Sequence, residues 1–146
     1  MKRIVLSLDV GDARIGLAHG ELGSSFAFGR GFITRTKPQS DIQALQHLMT
    51  QEQAEYLVIG LPKSTNGKDS AQTQKVRSFV KQLEEAGLKV VLEDERFTTQ
   101  LASQHLRDLP KHKRQEKGRL DEAAAILILE SHLAKYISRV ELTKPE

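Results

Sequence analysis

Ile4-Val5-Leu6-Ser7-Leu8-Asp9-Val10-Gly11-Asp12-Ala13-Arg14-Ile15-Gly16-Leu17-Ala18-His19-Gly20 decides how the rest of the chain is read. Residues 4–8 are apolar and largely β-favouring, which predicts a short buried strand. Residues 10–13 predict a turn and residues 14–20 a second strand, so the chain opens as a hairpin. Asp9 ends the first strand, and ligands of α/β sheets gather at strand carboxyl ends. Aspartate is also common in turns, but Asp12 fits that plainer role better. Gly11, beside Asp9, would let a phosphate or a metal approach the backbone closely.

Working outward, residues 26–33 predict a third strand. Ser40-Asp41-Ile42-Gln43 has the form of a capping box and opens a helix with Ile42, Leu45, Leu48 and Met49 on one face. Residues 56–60 form a fourth strand, followed by a polar loop. Asp69 or Ser70 caps a helix in which Val76, Phe79, Val80 and Leu83 fall at helical spacing, and Gly87 ends it. Residues 88–92 give a fifth strand. Thr98 or Thr99 caps a third helix, stopped by Pro110. A basic loop, 111–118, leads into a last helix near 119–137, whose residues 123–129 are apolar on every side and therefore largely buried. No repeat or low-complexity tract interrupts the chain, and 146 residues suit one domain, 1–146. Strands arranged first as hairpins and then alternating with helices imply an α/β protein with a five-stranded mixed sheet flanked by helices. An RNase H-like fold is one of several with this order.

The chain lacks cysteine. Disulfides, thiolate metal sites and a cysteine nucleophile are thereby excluded, and the five histidines have no zinc-ligand spacing. Met1-Lys2-Arg3 resembles the start of a signal peptide, but the apolar run after it stops at Asp9, too short for one. The longest wholly apolar run, 123–129, falls far short of the ~20 residues of a membrane helix. A cytoplasmic protein with no membrane association is expected. The net charge of +3 is unevenly spread. Residues 96–119 hold seven Lys/Arg against two acids, a net +5, which leaves −2 for the rest of the chain. Such a stretch is either a solvated loop or an attractor of polyanions.

Acidic residues stand at three element ends. They are Asp9, the run Glu93-Asp94-Glu95 after the fifth strand, and Asp121-Glu122 at the start of the last helix. Each has an ordinary explanation; for Asp121 it is the helix dipole. Gathered at one sheet edge, however, such carboxylates would repel one another unless a cation joined them. Oxygen-only ligands suit Mg²⁺ or Mn²⁺, and two such ions can clamp the attacking and leaving oxygens of a phosphodiester. The loop Gly60-Leu61-Pro62-Lys63-Ser64-Thr65-Asn66-Gly67-Lys68 offers hydroxyl, amide and lysine groups suited to phosphate contacts. It is not a Walker A loop. The few aromatic residues argue against an extended base-stacking platform.

Four segments read together carry a resemblance: residues 8–18, Val58-Ile59-Gly60-Leu61-Pro62, Asp94-Glu95-Arg96-Phe97-Thr98-Thr99, and residues 121–129. In this order and spacing, across residues 2–137, they resemble the YqgF/RuvX family of Holliday junction resolvases, also described as pre-16S rRNA processing nucleases. The resemblance implies an RNase H-like fold and a metal-dependent endonuclease acting on branched DNA or on the 5′ end of precursor 16S rRNA. Its acidic positions match Asp9, Glu95 and Asp121, which would be both catalytic and ligands of one or two Mg²⁺ or Mn²⁺ ions. Arg14, Arg96 and Thr98 match motif positions with orienting or phosphate-contact roles. Lys63, Ser64, Asn66 and Lys68, with Lys111, Lys113, Arg114 and Lys117, would hold the nucleic-acid backbone. Resolving a junction would need two active sites, hence a homodimer. Three positions depart from the family pattern. Ser7 replaces a glycine, Lys63-Ser64-Thr65 replaces a more apolar stretch, and Glu122 replaces a small residue. The last leaves open which of the two adjacent acids reaches the metal, although Asp121 is the motif match; whether Glu122, Asp94 or Glu93 assists there is open as well. Two rivals remain: a fragment of an actin-like or sugar-kinase phosphotransferase, for which 146 residues are too few, and a non-catalytic nucleic-acid-binding domain.

Overall fold

A computed structural model describes residues 2–62, 69–94 and 117–143, with Lys117 and Thr143 described by their backbone alone. The hairpin expected at the start is present, with β1 at Ile4–Val10 and β2 at Arg14–Glu21 paired antiparallel in an unbroken register. Then come β3 (Ala27–Thr34), α1 (Pro38–Glu52), β4 (Ala54–Leu61), α2 (Ala71–Glu85), β5 (Val90–Asp94) and α3 (Lys117–Thr143). The sheet order is β3-β2-β1-β4-β5, with β1, β4 and β5 parallel and β2 and β3 antiparallel to their neighbours. This is the mixed five-stranded sheet that the element order predicts. The expected third helix after Thr98 lies outside the described residues.

Strand alternation sorts β1 between two cores. Leu6, Leu8 and Val10 pack with Leu45 and Met49 of α1 and with Val76, Phe79, Val80 and Leu83 of α2. Val5 packs on the other face with Ala125, Ile128, Leu129 and Leu133 of α3. Each of these leucines, fully buried, contributes roughly 1.5–3 kcal/mol of transfer free energy. Ser7 lies on the α3 face, where its hydroxyl donates to the Ala125 carbonyl at 2.7 Å. The departure from a glycine here therefore fastens the central strand to α3. Asp9, two residues on, faces α3 as well.

Two helix starts differ from expectation. α1 begins at Pro38, not at the Ser40 capping box, and no side chain caps it. Proline at the first helical position supplies a pre-set φ and needs no hydrogen-bond partner. Asp41 instead accepts from the Thr36 N–H at 3.0 Å and pairs with Arg35. α3 begins at Lys117, so Asp121 and Glu122 lie beyond its first turn. The helix dipole, which acts within that turn, then no longer accounts for them. α2 starts as expected on a reciprocal Ser70–Thr73 capping box. The Thr73 hydroxyl also donates to the Pro62 carbonyl, tying the end of β4 to the start of α2.

Glu93 is buried beneath α3, where its carboxylate accepts from Lys135 and from the Ser131 hydroxyl. His132 sits 3.6 Å from it through Nδ1, and its Nε2 lies 2.7 Å from the Tyr56 hydroxyl. Burial pushes the Glu93 pKa up, but His132 and Lys135 together outweigh it and hold it below the ordinary value. The unfolded chain therefore binds the proton more readily. The contribution to stability is complete above the ordinary glutamate range and is lost as pH falls through the lowered value. Lys135→Met should cost about 1–3 kcal/mol at neutral pH, the typical penalty for an under-satisfied buried acceptor. In urea melts, the deficit should shrink once the pH is low enough to protonate Glu93. A deficit that does not vary with pH would contradict this account.

Candidate active site

The site is built from the carboxyl end of β1 and the N-terminal part of α3. Asp9 lies opposite Gly16 across the hairpin. The α3 backbone comes so close to Gly16 that a Cβ there would lie 2.0 Å from the Asp121 carbonyl oxygen. Glycine inside a strand marks such approaches, and that is the one signal by which Gly16 could have been singled out. One helical turn separates Asp121 from Ala125, and two strand residues separate Asp9 from Ser7. The Ser7–Ala125 hydrogen bond and the Asp9–Asp121 approach are therefore successive rungs between the same strand and the same helix.

Burial pushes the Asp9 pKa up to about 7, and the nearby Asp121 charge adds to the shift. Among the described residues no cation or hydrogen-bond donor is placed on Asp9. Asp121 does have one, since Arg14 Nε donates to its Oδ2 at 2.7 Å. This contact fixes the position of the Asp121 carboxylate. Glu122, next in sequence, points elsewhere, and its Oε2 accepts from the Gly31 N–H of β3. Glu93 is held by Lys135, Ser131 and His132. Asp94 is exposed at the end of β5. Of these acids, the described structure brings Asp9 and Asp121 together and engages Glu93 and Glu122 in other contacts.

Gly11 is engaged in the turn. Its N–H donates to the Arg14 carbonyl at 2.9 Å, and its own carbonyl accepts from Arg35 at 3.0 Å. Asp12 is exposed beside Lys75, as its plainer reading holds. Glu95, Arg96, Thr98, Lys63, Ser64, Asn66, Lys68, Lys111, Lys113 and Arg114 lie outside the described residues. Lys117 is in the first turn of α3. Among the described residues no group of three or more His, Asp or Glu is arranged to hold a metal.

The sequence profile of the family "RuvX: Holliday junction resolvase" matches residues 3–135. The chain belongs to the RuvX family. A RuvX-type relative from Thermus thermophilus, named as a candidate pre-16S rRNA nuclease, is 48% identical over 131 residues, which cover 90% of this chain and 97% of that protein. Another of the same name, from Crocosphaera subtropica, is 40% identical over 136 residues, covering 91% and 94%. Among solved structures, T. thermophilus RuvC in complex with a Holliday junction substrate aligns with a TM-score of 0.54 at 14% identity, over 99% of both chains. The large terminase nuclease of phage G20c aligns with a TM-score of 0.55 at 10% identity, over 90% of this chain and 82% of that one. At such identities the likeness concerns the fold, which is the RNase H-like fold of RuvC-type nucleases. The RuvX chain is thus placed with nucleases and away from the kinase-like rival.

Proposed function

We propose that this RuvX chain is a metal-dependent endonuclease that hydrolyses phosphodiester bonds in structured nucleic acid. One observation carries the proposal. Asp9, withdrawn from water and facing Asp121, has its pKa raised to about 7 with no compensating cation among the described residues. A group held in this way is poised to gain from a divalent ion. The oxygen donors fit Mg²⁺ or Mn²⁺, held by Asp9 and Asp121 and, on the motif match, by Glu95. Such an ion, when bound, supplies Lewis-acid activation of the phosphoryl group and a nucleophile at neutral pH. Arg14 fixes the Asp121 carboxylate, and the Ser7–Ala125 bond holds the strand and helix that carry the two acids in register.

The relatives are named for precursor 16S rRNA, and the RuvC neighbour was solved with a four-way junction. Both substrate classes are therefore proposed for this chain, in a cytoplasmic setting, with homodimerisation required for the junction alone. No helix among the described residues is long and apolar enough to cross a membrane. The test is cleavage of labelled junction DNA, linear DNA and precursor 16S rRNA with Mg²⁺ or Mn²⁺ by the wild type, Asp9→Asn, Glu95→Gln and Asp121→Asn. The wild type should cut and the three variants should not. Equal cleavage by all four would refute the site, and salt-sensitive binding without cleavage would favour the non-catalytic rival.

Lys111, Lys113, Arg114 and Lys117 are proposed backbone contacts. Replacing all four with glutamine should flatten the dependence of log K on log salt by up to ~3–4, about 0.9 per lost phosphate contact on duplex. Fluorescence anisotropy across a salt series measures the slope. An unchanged slope would return these residues to the solvated surface.

A further inference from the structure

A row of paired residues crosses the sheet at the level of Asp9. Asp9 pairs with Gly16 of β2, and Gly16 pairs with Phe32 of β3. Two strand spacings of ~4.8 Å put the Phe32 backbone ~10 Å from that of Asp9. Phe32 is on the α3 face because of an irregularity. Ala27 and Gly29 pair with Gly20 and Ala18, and the register then shifts so that Phe32, and not Gly31, comes opposite Gly16. Gly31 has φ +78°, the left-handed geometry of a glycine-containing bulge. The extra residue reverses the alternation. Phe28, also exposed, turns to the other face against His19, with ring centroids 5.8 Å apart. Bulges recur beside active sites, where they re-aim a side chain.

The redirected ring is 48% exposed. One edge rests on the backbone of α3 at Gly118, where a Cβ would lie 2.1 Å from the ring. The ring also lines a cleft of about 240 Å³ together with Gly31, Gly118, Arg119 and Glu122. That volume lies below the ~300–1,000 Å³ of a pocket for a drug-sized ligand and suits one planar ring system. Asp121 and Glu122 share one turn of α3, so the cleft and the carboxylate pair are built on the same helix. An exposed aromatic ring within one or two nucleotide lengths of a phosphodiester site offers a π-face to a base.

We propose that Phe32 is a stacking platform for a single nucleobase of the substrate strand next to the scissile phosphate. This rests on the nuclease reading above. It is compatible with the scarcity of aromatic residues, because one ring registers a strand without forming an extended platform. The test places 2-aminopurine, then an abasic site, at each position around the mapped cleavage point, with wild type, Phe32→Leu and Phe32→Trp. Leucine keeps the apolar contact with Gly118 and removes the π-face. One position should show 2-aminopurine quenching that Phe32→Trp preserves and Phe32→Leu abolishes. Phe32→Leu should raise Kd about ten-fold on the intact strand, within the range for one lost base stack, and leave Kd unchanged on a strand abasic at that position. Melting temperatures confirm that each variant is folded. Unchanged Kd for Phe32→Leu on the intact strand, or an equal loss on intact and abasic strands, would overturn the proposal. If the wild type cleaves and Asp9→Asn does not, that result falls on Phe32 alone. A wild type that neither binds nor cleaves removes the nuclease reading, and the stacking site with it.

Discussion

Asp9→Asn should abolish cleavage and at the same time make the metal-free protein more stable at pH 8. The loss of activity should be at least ~10²–10³-fold, the scale for removing one electrostatic group at a reacting centre. The gain in stability follows from linkage. In the folded chain the Asp9 pKa is raised to about 7 from an ordinary 3.8, by burial first and by the Asp121 charge second. Between about pH 4 and pH 7 the unfolded chain releases a proton that the folded chain retains. Stability therefore falls as pH rises through that interval and changes no further above it. Three pKa units correspond to about 4 kcal/mol, an upper figure because water can relax around an ionised Asp9. Asparagine is neutral throughout and escapes the penalty. In EDTA the variant should melt higher than wild type by roughly 5–10 °C at pH 8, and the two should converge at pH 4. A variant that melts lower than wild type at pH 8 would show that Asp9 is not held against its charge.

Gly16→Ala should cost several kcal/mol and impair catalysis in whatever fraction remains folded. The added methyl would lie 2.0 Å from the Asp121 carbonyl oxygen and 2.2 Å from its carbon, both backbone atoms of a 27-residue helix. No rotamer change relieves such a contact, so α3 must lift from the sheet. Overpacking typically costs 1–3 kcal/mol and occasionally more, and a backbone clash belongs at the upper end. The lift would also separate Asp121 from Asp9, and displacements of about 1 Å at a reacting centre cost ~10²-fold. Gly20→Ala is the control. It lies on the same strand and face, but a Cβ there would meet the end of the Leu133 side chain at 3.0 Å, which can move, and the Phe26 carbonyl at 3.1 Å, a far milder approach than the 2.0 Å at Gly16. Chemical denaturation and single-turnover cleavage of both variants check the contrast. Equal effects at the two positions would contradict the proposed seat of α3 on Gly16.

The hairpin was legible because apolar runs broken by Gly11-Asp12 leave few other solutions, and Asp9 stood out as the charge at the end of a buried strand. The α2 start was legible because Ser70 and Thr73 cap each other locally. The start of α1 was displaced because no side chain caps it at Lys37, while Ser40-Asp41-Ile42-Gln43 has the form of a cap but lies within the first turn of the helix. Adjacent acids could not be separated either. Asp121 and Glu122 differ in role only because Arg14 reaches one and the Gly31 N–H reaches the other. Glu93 gave no sign of its partners, since Ser131, His132 and Lys135 lie about forty residues away in sequence. The aim of Phe32 was hidden for a different reason: a single inserted residue reverses the period of two by which a strand is read.

Asp9 and Asp121 are proposed to form a cation-binding centre. Calorimetric titration of Mn²⁺ into the metal-free protein tests it most directly, at pH 6 and pH 8 in buffers of different ionisation enthalpy. The account predicts binding that tightens from pH 6 to pH 8, proton release approaching one per site at pH 6, and loss of that binding in Asp9→Asn with the fold retained. Equal Mn²⁺ affinity in wild type and Asp9→Asn, without proton release, would contradict it.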